Sequence, residues 1–330
     1  MNRFEIVTPA DLRSAVRLLA QRGHMALAGG VDTLDLLKQR IVAPRTLVDL
    51  NGLKELHGID STPDGGLRLG ALARLNDVAA HPAVRARFAA VAEAAGEAAT
   101  PQIRNLGTVG GNLLQRPRCW YFRNPDIVCL KKGGHICYAI NGLNRYHAIL
   151  GGGPSFIVHP SNLAPALIAF GASARIIGPA GERKIVLDQF FALPSVDATR
   201  ENVLQPGEIV VEVTVPAPAA PVQSAYLEVR EKQSFDWPLV SVAAMLEIAP
   251  GSKKINQANV VLGAVAPIPW RSREAEQALA GATLDRARAA SAAEAALKDA
   301  RPLPHNAYKV AIARVLVRRA VLRAGQVEDV

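Results

Sequence analysis

The chain has 330 residues, 49% of them hydrophobic and 20% charged, with a formal net charge of +9. At about twice the length of a typical ~150-residue domain, it is expected to hold two or three domains, and its apolar content excludes a disordered chain. No apolar run approaches the ~18 residues of a membrane span, and residues 1–11 lack the apolar core of a signal peptide, so a soluble chain without its own leader is expected.

Thr8 is placed to cap a first helix, with Pro9 at its first position and Asp11 three residues after the cap. Leu12, Val16 and Leu19 give that helix an apolar stripe, and Gly23 ends it. A short apolar strand, Met25 to Ala28, leads into a glycine pair and a helical run from Leu34 to Lys38. Residues 46–50 read as a buried strand, which makes the opening a small βαβ-like unit. Residues 67–71 read as a strand, and residues 75–99 as one or two alanine-rich helices broken near His81-Pro82. Pro165 to Phe170, Ala172 to Ile177 and Glu208 to Val215 carry apolar helix or strand signals. The proline-rich stretch 216–221 marks a boundary. Beyond it the pattern predicts a strand at 225–230, a helix at 239–246, a strand at 258–265, and helices around 272–280, 286–299 and 306–323. The expected fold class is α+β (mixed α/β), without internal repeats.

Two glycine loops stand out in the first half. Ala28-Gly29-Gly30-Val31-Asp32 joins a strand to a helix, where backbone N–H groups and the positive end of the helix dipole can approach an anion. The second, Arg104-Asn105-Leu106-Gly107-Thr108-Val109-Gly110-Gly111-Asn112, lacks a Walker lysine and is not a G-x-G-x-x-G fingerprint. Two such loops suit a pyrophosphate clamped from both sides; two tight turns are the plain alternative. The three cysteines, Cys119, Cys129 and Cys137, are confined to one basic, aromatic segment. Their spacing fits neither a zinc module nor a disulfide framework. An anionic iron–sulfur cluster would suit the basic surroundings, and three buried apolar thiols are the alternative.

Residues 112–148 carry a net +5 and residues 301–330 a net +4, so these two segments hold the whole excess. The second reads most simply as a solvated helix face. Nucleic acid is not expected, because no recognised binding motif is present and aromatics are few. His135, His147 and His159 show no metal-ligand spacing and read as structural residues. Phe235 and Trp237, near Arg230 and Lys232, could wall an aromatic ring or sit in a core.

Four stretches carry a resemblance. They are Leu27 to Asp32, Thr100 to Asn112, Ser234 to Ser241, and Gly263 to Trp270. In this order they make the chain resemble the FAD-binding medium subunits of the molybdenum hydroxylase family, the xanthine dehydrogenases and aldehyde oxidoreductases among them. The resemblance implies an FAD-binding domain of two subdomains, 1–55 and 56–216, and a C-terminal α+β domain, 222–330. FAD would be held by Leu27, Ala28, Gly29, Gly30, Val31, Asp32 and Thr33, then by Thr108, Gly110, Gly111 and Asn112 as a second backbone nest. Asn162, Arg230 and Lys232 would complete the site. No residue is assigned to substrate chemistry, since such a subunit transfers electrons only. Its implied partners are a molybdopterin-binding large subunit and a 2Fe–2S small subunit in a hetero-oligomer, with neither nucleic acid nor membrane. FAD would take electrons from the 2Fe–2S centres and pass them to an external acceptor. A cytoplasmic location is expected, with periplasmic co-export on a partner as the alternative.

The segment 115–160 further resembles an inserted loop that carries a 4Fe–4S cluster in one subgroup. Cys119, Cys129 and Cys137 would be ligands, and Ser155 stands where that subgroup has its fourth cysteine. Ser155 ligation, a 3Fe–4S cluster, an exogenous ligand and no cluster are the four outcomes open. Asn162 also departs from the family's usual aspartate. It keeps one acceptor for a flavin hydroxyl and loses the charge. Two rivals follow from these readings: a stand-alone flavoenzyme of the same superfamily, and an assembly subunit that has lost its cofactors.

Overall fold

The computed structural model describes residues 1–232 and 234–329. Its first unit is a three-stranded parallel sheet in which Thr46–Asp49 lies between Glu5–Val7 and His24–Leu27. Helices Leu12–Leu19 and Val31–Lys38 are the crossovers. The first helix is capped by Asp11, not Thr8. The Asp11 carboxylate accepts from Ser14 N at 2.7 Å, and the Ser14 hydroxyl answers the Asp11 N–H at 3.1 Å. This reciprocal capping box satisfies two orphan donors. The second helix starts at Val31, earlier than the apolar run from Leu34 suggests.

The second sheet is antiparallel and five-stranded, in the order Ile59–Ser61, Leu67–Gly70, Ile209–Val215, Ser173–Gly178, Gly181–Val186. The last of these strands, exposed at alternate residues and rich in charge, gives no strand signal in the sequence. Three short helices, Leu75–Ala80, Pro82–Arg87 and Ala89–Glu97, follow the Leu67–Gly70 strand. They break at His81, as the proline requires, and again at Phe88.

The third sheet is antiparallel, ordered Trp270–Arg271, Ile255–Gly263, Val240–Ile248, Val222–Val229. Here the expected helix at 239–246 is a strand, Val240–Ile248. Its first seven residues are all buried. Val240, Val242, Ala244 and Leu246 face one core, while Ala243 and Met245 face the other. A strand covered on both faces loses the polar alternation that marks strands, and a short apolar run then reads equally well as helix. Helices Arg273–Leu279, Arg286–Leu297 and Tyr308–Ala324 cover one face. The wholly buried helix Leu163–Ala169 lies on the other and shares a core with Ala243, Met245 and Val261. The proline-rich stretch therefore joins two units that bury apolar surface against each other. No helix among the described residues is long and apolar enough to cross a membrane.

The helix Tyr308–Ala324 carries Lys309, whose side chain is 1% exposed. Its ammonium donates to Ala264 O at 2.6 Å, His147 O at 3.2 Å and Tyr146 O at 3.5 Å. Among the described residues no carboxylate pairs with it, and burial pulls it down to about 7. The folded state thus binds fewer protons at Lys309 than the unfolded state from about pH 7 up to the ordinary lysine range. Relative to Lys309→Met, the wild-type chain should gain stability as pH rises through that window, by about 1.4 kcal/mol per pH unit at most. Denaturant melts of both proteins at several pH values check this.

Candidate functional site

The parallel sheet and the two antiparallel units meet around a cavity of about 360 Å³. Ala28, Gly29, Gly30, Val31, Asp32 and Thr33 form one wall, and Thr108, Gly110, Gly111 and Asn112 form another. Leu72, Ile103, Asn162, Arg118 and Trp237 complete it. The first wall follows the C-terminal end of strand His24–Leu27, where open parallel sheets present ligand crevices.

Glycine is required in the first loop for two different reasons. A Cβ on Gly29 would lie 1.9 Å from Leu106 O, so the second loop can pack against it only if it has no side chain. Gly30 caps the helix Val31–Lys38 with φ of 74°, a left-handed conformation. The consequence is a run of open donors. Among the described residues, the backbone N–H groups of Gly29, Gly30, Val31, Asp32 and Thr33 have no hydrogen-bond acceptor in the protein, and all five residues line the cavity. Such a run at a helix start is an anion cradle.

The second loop is built otherwise. Val109 N donates to Ala73 O at 2.9 Å, Gly110 N to Ala71 O at 2.8 Å, and Asn112 N to Thr108 O at 2.8 Å. Gly111 N donates to the Thr108 hydroxyl at 3.0 Å. These four N–H groups are engaged, so among residues 108–112 only Thr108 N is left to a ligand, and the expected second backbone nest gives way to a wall made mainly of side chains. The Asn112 amide is the polar group it offers.

Asp32 does not point its carboxylate into open space. Oδ2 accepts from Arg116 N at 2.7 Å, and Oδ1 accepts from Arg118 at 2.5 Å and Arg123 at 2.8 Å. Arg123 also donates to Asp35 at 3.0 Å. The Arg118 guanidinium stacks 4.8 Å from the centre of the Trp237 ring, a cation–π contact at the cavity wall. Of the other expected residues, Leu27 is outside the wall, with its carbonyl accepting from Leu50 N at 2.9 Å. Arg230 is also outside it. Its guanidinium contacts Glu228 and donates to Ser234 O at 2.9 Å and Glu97 Oε2 at 3.0 Å. Lys232 is exposed and likewise not in the wall. Arg118, Gln115 and Leu72 are wall residues that sequence reasoning did not assign to the flavin site: Gln115 and Arg118 lie in the segment read as the cluster loop, and no motif surrounds Leu72.

The cysteine segment begins where this wall ends. Cys119, Cys129, Cys137 and Ser155 line one small cavity of about 10 Å³, with Tyr121, Phe122, Lys131 and Ile157. Ser155 is 2% exposed, and its hydroxyl makes no hydrogen bond to a described residue. Among the described residues, no three His, Cys, Asp or Glu side chains are close enough to hold a single metal ion. The four side chains therefore face a shared space and do not converge on one point. Burial pushes the Cys119 thiol up to about 12 and pulls His147 down to about 4, helped there by the nearby Lys309 charge. Both are neutral at neutral pH, and they share a hydrogen bond of 3.2 Å between His147 Nε2 and Cys119 Sγ. Sequence spacing gave His147 no role, since the contact spans 28 residues.

Residues 301–309 clasp the end of this segment. Arg301 N donates to Ile149 O at 2.7 Å, His305 N to Asn144 Oδ1 at 2.9 Å, and Tyr308 OH to Arg145 O at 3.1 Å. Asn306 Nδ2 donates to His147 O at 3.0 Å and Ala148 O at 3.2 Å.

Replacing Asp32 by Asn should leave two guanidiniums and a backbone N–H short of their charged acceptor. We expect a loss of about 3 kcal/mol in a denaturant melt, with faster proteolytic cleavage between residues 116 and 147.

Comparison with known proteins bears on the large cavity. Residues 2–218 match the family described as FAD binding domain in molybdopterin dehydrogenase, and residues 224–324 match CO dehydrogenase flavoprotein C-terminal domain. The chain is 38% identical over 312 residues to the aldehyde oxidoreductase FAD-binding subunit PaoB of Escherichia coli, covering 93% of this chain and 92% of that one. It is 30% identical to the carbon monoxide dehydrogenase medium chain of Hydrogenophaga pseudoflava, covering 97% and 96%. A solved structure of the carbon monoxide dehydrogenase from that organism, in a form lacking the Mo-pyranopterin moiety, superposes with a TM-score of 0.77 over 98% of both chains. The chain belongs to the family of FAD-binding subunits of heteromeric molybdenum hydroxylases.

Proposed function

We propose that this chain relays electrons within such a complex, receiving them from the 2Fe–2S centres of a small partner subunit and passing them through FAD to an external acceptor. A molybdopterin-binding large subunit would perform the substrate chemistry. The observation that carries this reading is the run of five unpaired N–H groups from Gly29 to Thr33, opening into a cavity with an apolar floor. A pyrophosphate matches those donors, and the ring system of a dinucleotide matches the apolar part. The residues present therefore fit FAD. Gly29, Gly30, Val31 and Thr33 would hold its phosphates through the backbone, while Thr108, Gly110, Gly111, Asn112 and Asn162 would border its sugar and ribityl parts. When bound, a flavin accepts electrons singly from iron–sulfur centres and releases them as a pair. The arginines that neutralise Asp32 keep the cradle from repelling an anion.

The second cavity extends the proposal to a 4Fe–4S cluster. Cys119, Cys129 and Cys137 would be three thiolate ligands and Ser155 the fourth, an oxygen donor. The donor set suits a cluster by its chemistry, three thiols and a hydroxyl lining one space; that space is about 10 Å³, the room of about one water, so the segment would have to open to admit it. Such a cluster supplies a one-electron carrier. Lys131, buried and paired with Glu201 at 2.8 Å, also lines this cavity and sets a positive group beside it.

The test is to co-express the chain with its partner subunits, separate it from the iron-bearing small subunit without oxygen, and quantify flavin and iron on the separated chain. About one flavin per chain and a broad iron–sulfur absorption are expected. Ser155→Cys should raise the iron content towards about four per chain, since thiolate is the softer and better iron ligand. A colourless preparation without flavin would overturn the electron-relay reading. Iron absent from both the wild type and Ser155→Cys would overturn the cluster and leave the flavin reading standing.

A further inference from the structure

Asn162 lines the large cavity at the start of helix Leu163–Ala169. Its Nδ2 donates to Glu228 Oε2 at 2.8 Å, with the Tyr226 hydroxyl at 3.4 Å. Glu228 lies on strand Val222–Val229, in the other half of the molecule, and its side chain is 4% exposed. A carboxylate accepts and cannot donate, so the amide nitrogen of Asn162 must face it. The Asn162 Oδ1 is then turned away. No described residue donates to it, and it is not among the buried unpartnered atoms, so it opens into the cavity.

Asn112 is oriented in the opposite sense by the same logic. Its Oδ1 accepts from Ser161 Oγ at 2.5 Å and Leu163 N at 3.3 Å. A backbone N–H only donates, so the Asn112 oxygen must face it and the amide NH2 is left for the cavity. That nitrogen also has no acceptor in the protein and is not among the buried unpartnered atoms. The two asparagines thus present one donor and one acceptor, the pair that a hydroxyl group satisfies in both directions.

We propose that Glu228 is a positioning residue for the cofactor: it locks the Asn162 amide with its oxygen in the cavity, and the Asn162–Asn112 pair reads a hydroxyl of the flavin's ribityl or ribose chain. The inference rests on FAD occupying this cavity. It also accounts for asparagine at 162. An aspartate there would set two carboxylates in hydrogen-bond contact, with only Tyr226 and Arg230 to offset them. Tyr226 OH donates to Glu228 Oε2 at 2.8 Å and Arg230 contacts the other oxygen, so the ionised carboxylate is already matched when Asn162 donates. The negative charge lies behind the wall, on the buried Glu228.

The prediction is a reciprocal swap. In full-length protein stripped of flavin, FAD affinity is measured by fluorescence quenching for the wild type, Asn162→Asp, Glu228→Gln and the double variant, alongside melts without FAD. Asn162→Asp should weaken FAD at least tenfold. Glu228→Gln, nearly isosteric, should weaken it about threefold to tenfold; it also takes the charged partner from Arg230 and lowers the flavin-free melting temperature, so affinity is compared at a temperature where both proteins are folded. The double variant restores one carboxylate and one amide and should bind within about threefold of the wild type. Wild-type affinity in both single variants, or a double variant no better than the weaker single, would overturn the inference. Should Asn162→Asp fail to fold, Glu228→Gln decides by its affinity at a temperature where it and the wild type are both folded. A wild-type chain that binds no FAD would overturn the flavin reading itself and this inference with it.

Discussion

One carboxylate ties the two cavities together. Asp32 sits in the first turn of the helix that follows the glycine pair, where the dipole favours an acid. It holds the backbone of Arg116 and the side chains of Arg118 and Arg123, the residues that flank Cys119. The cysteine segment is therefore anchored directly to the wall of the large cavity. The same contacts neutralise Asp32, leaving the N–H groups around it free for a negative ligand. Without that neutralisation, an acid beside an anion cradle would oppose its use.

The charge excess changes meaning in this light. A net +5 over residues 112–148 suggests a basic surface when counted along the chain. In three dimensions those cations meet carboxylates brought from elsewhere. Arg116 and Lys131 pair with Glu201, Arg118 and Arg123 with Asp32 and Asp35, and Arg145 with Glu231. The C-terminal arginines are similar: Arg314 meets Glu294, Arg318 and Arg319 meet Asp329, and Arg323 meets Glu93. Most of the local excess is a means of fastening distant segments. The net charge of +9 is unchanged by this pairing and is carried by cations elsewhere on the chain.

What the sequence revealed was governed by locality. The Gly29-Gly30 loop could be found because strand, turn and helix are contiguous, and the chemistry of an N–H cradle is carried by the backbone. The second loop misled, since its glycines allow close packing on Ala71 and its N–H groups turn inward; a glycine count cannot distinguish the two uses. The strand Val240–Ile248 misled because two cores hid its alternation. Glu228 and His147 were silent for another reason. Each gains its role from a partner 66 or 28 residues away, and no local pattern records such a pairing. Arg230 drew attention by its nearness to Trp237 in sequence, yet its guanidinium is engaged by Glu228, Glu97 and Ser234.

The clasp of residues 301–309 on the cysteine segment also imposes an order in time. The cysteines lie in the first half of the chain, but the carbonyls of Tyr146, His147 and Ala148 find their donors only in Asn306 and Lys309. On a ribosome that releases the chain from its N-terminus, the glycine cradle can form early. The stretch 146–148, beside the cysteine segment, gains these partners only when the last helix has emerged.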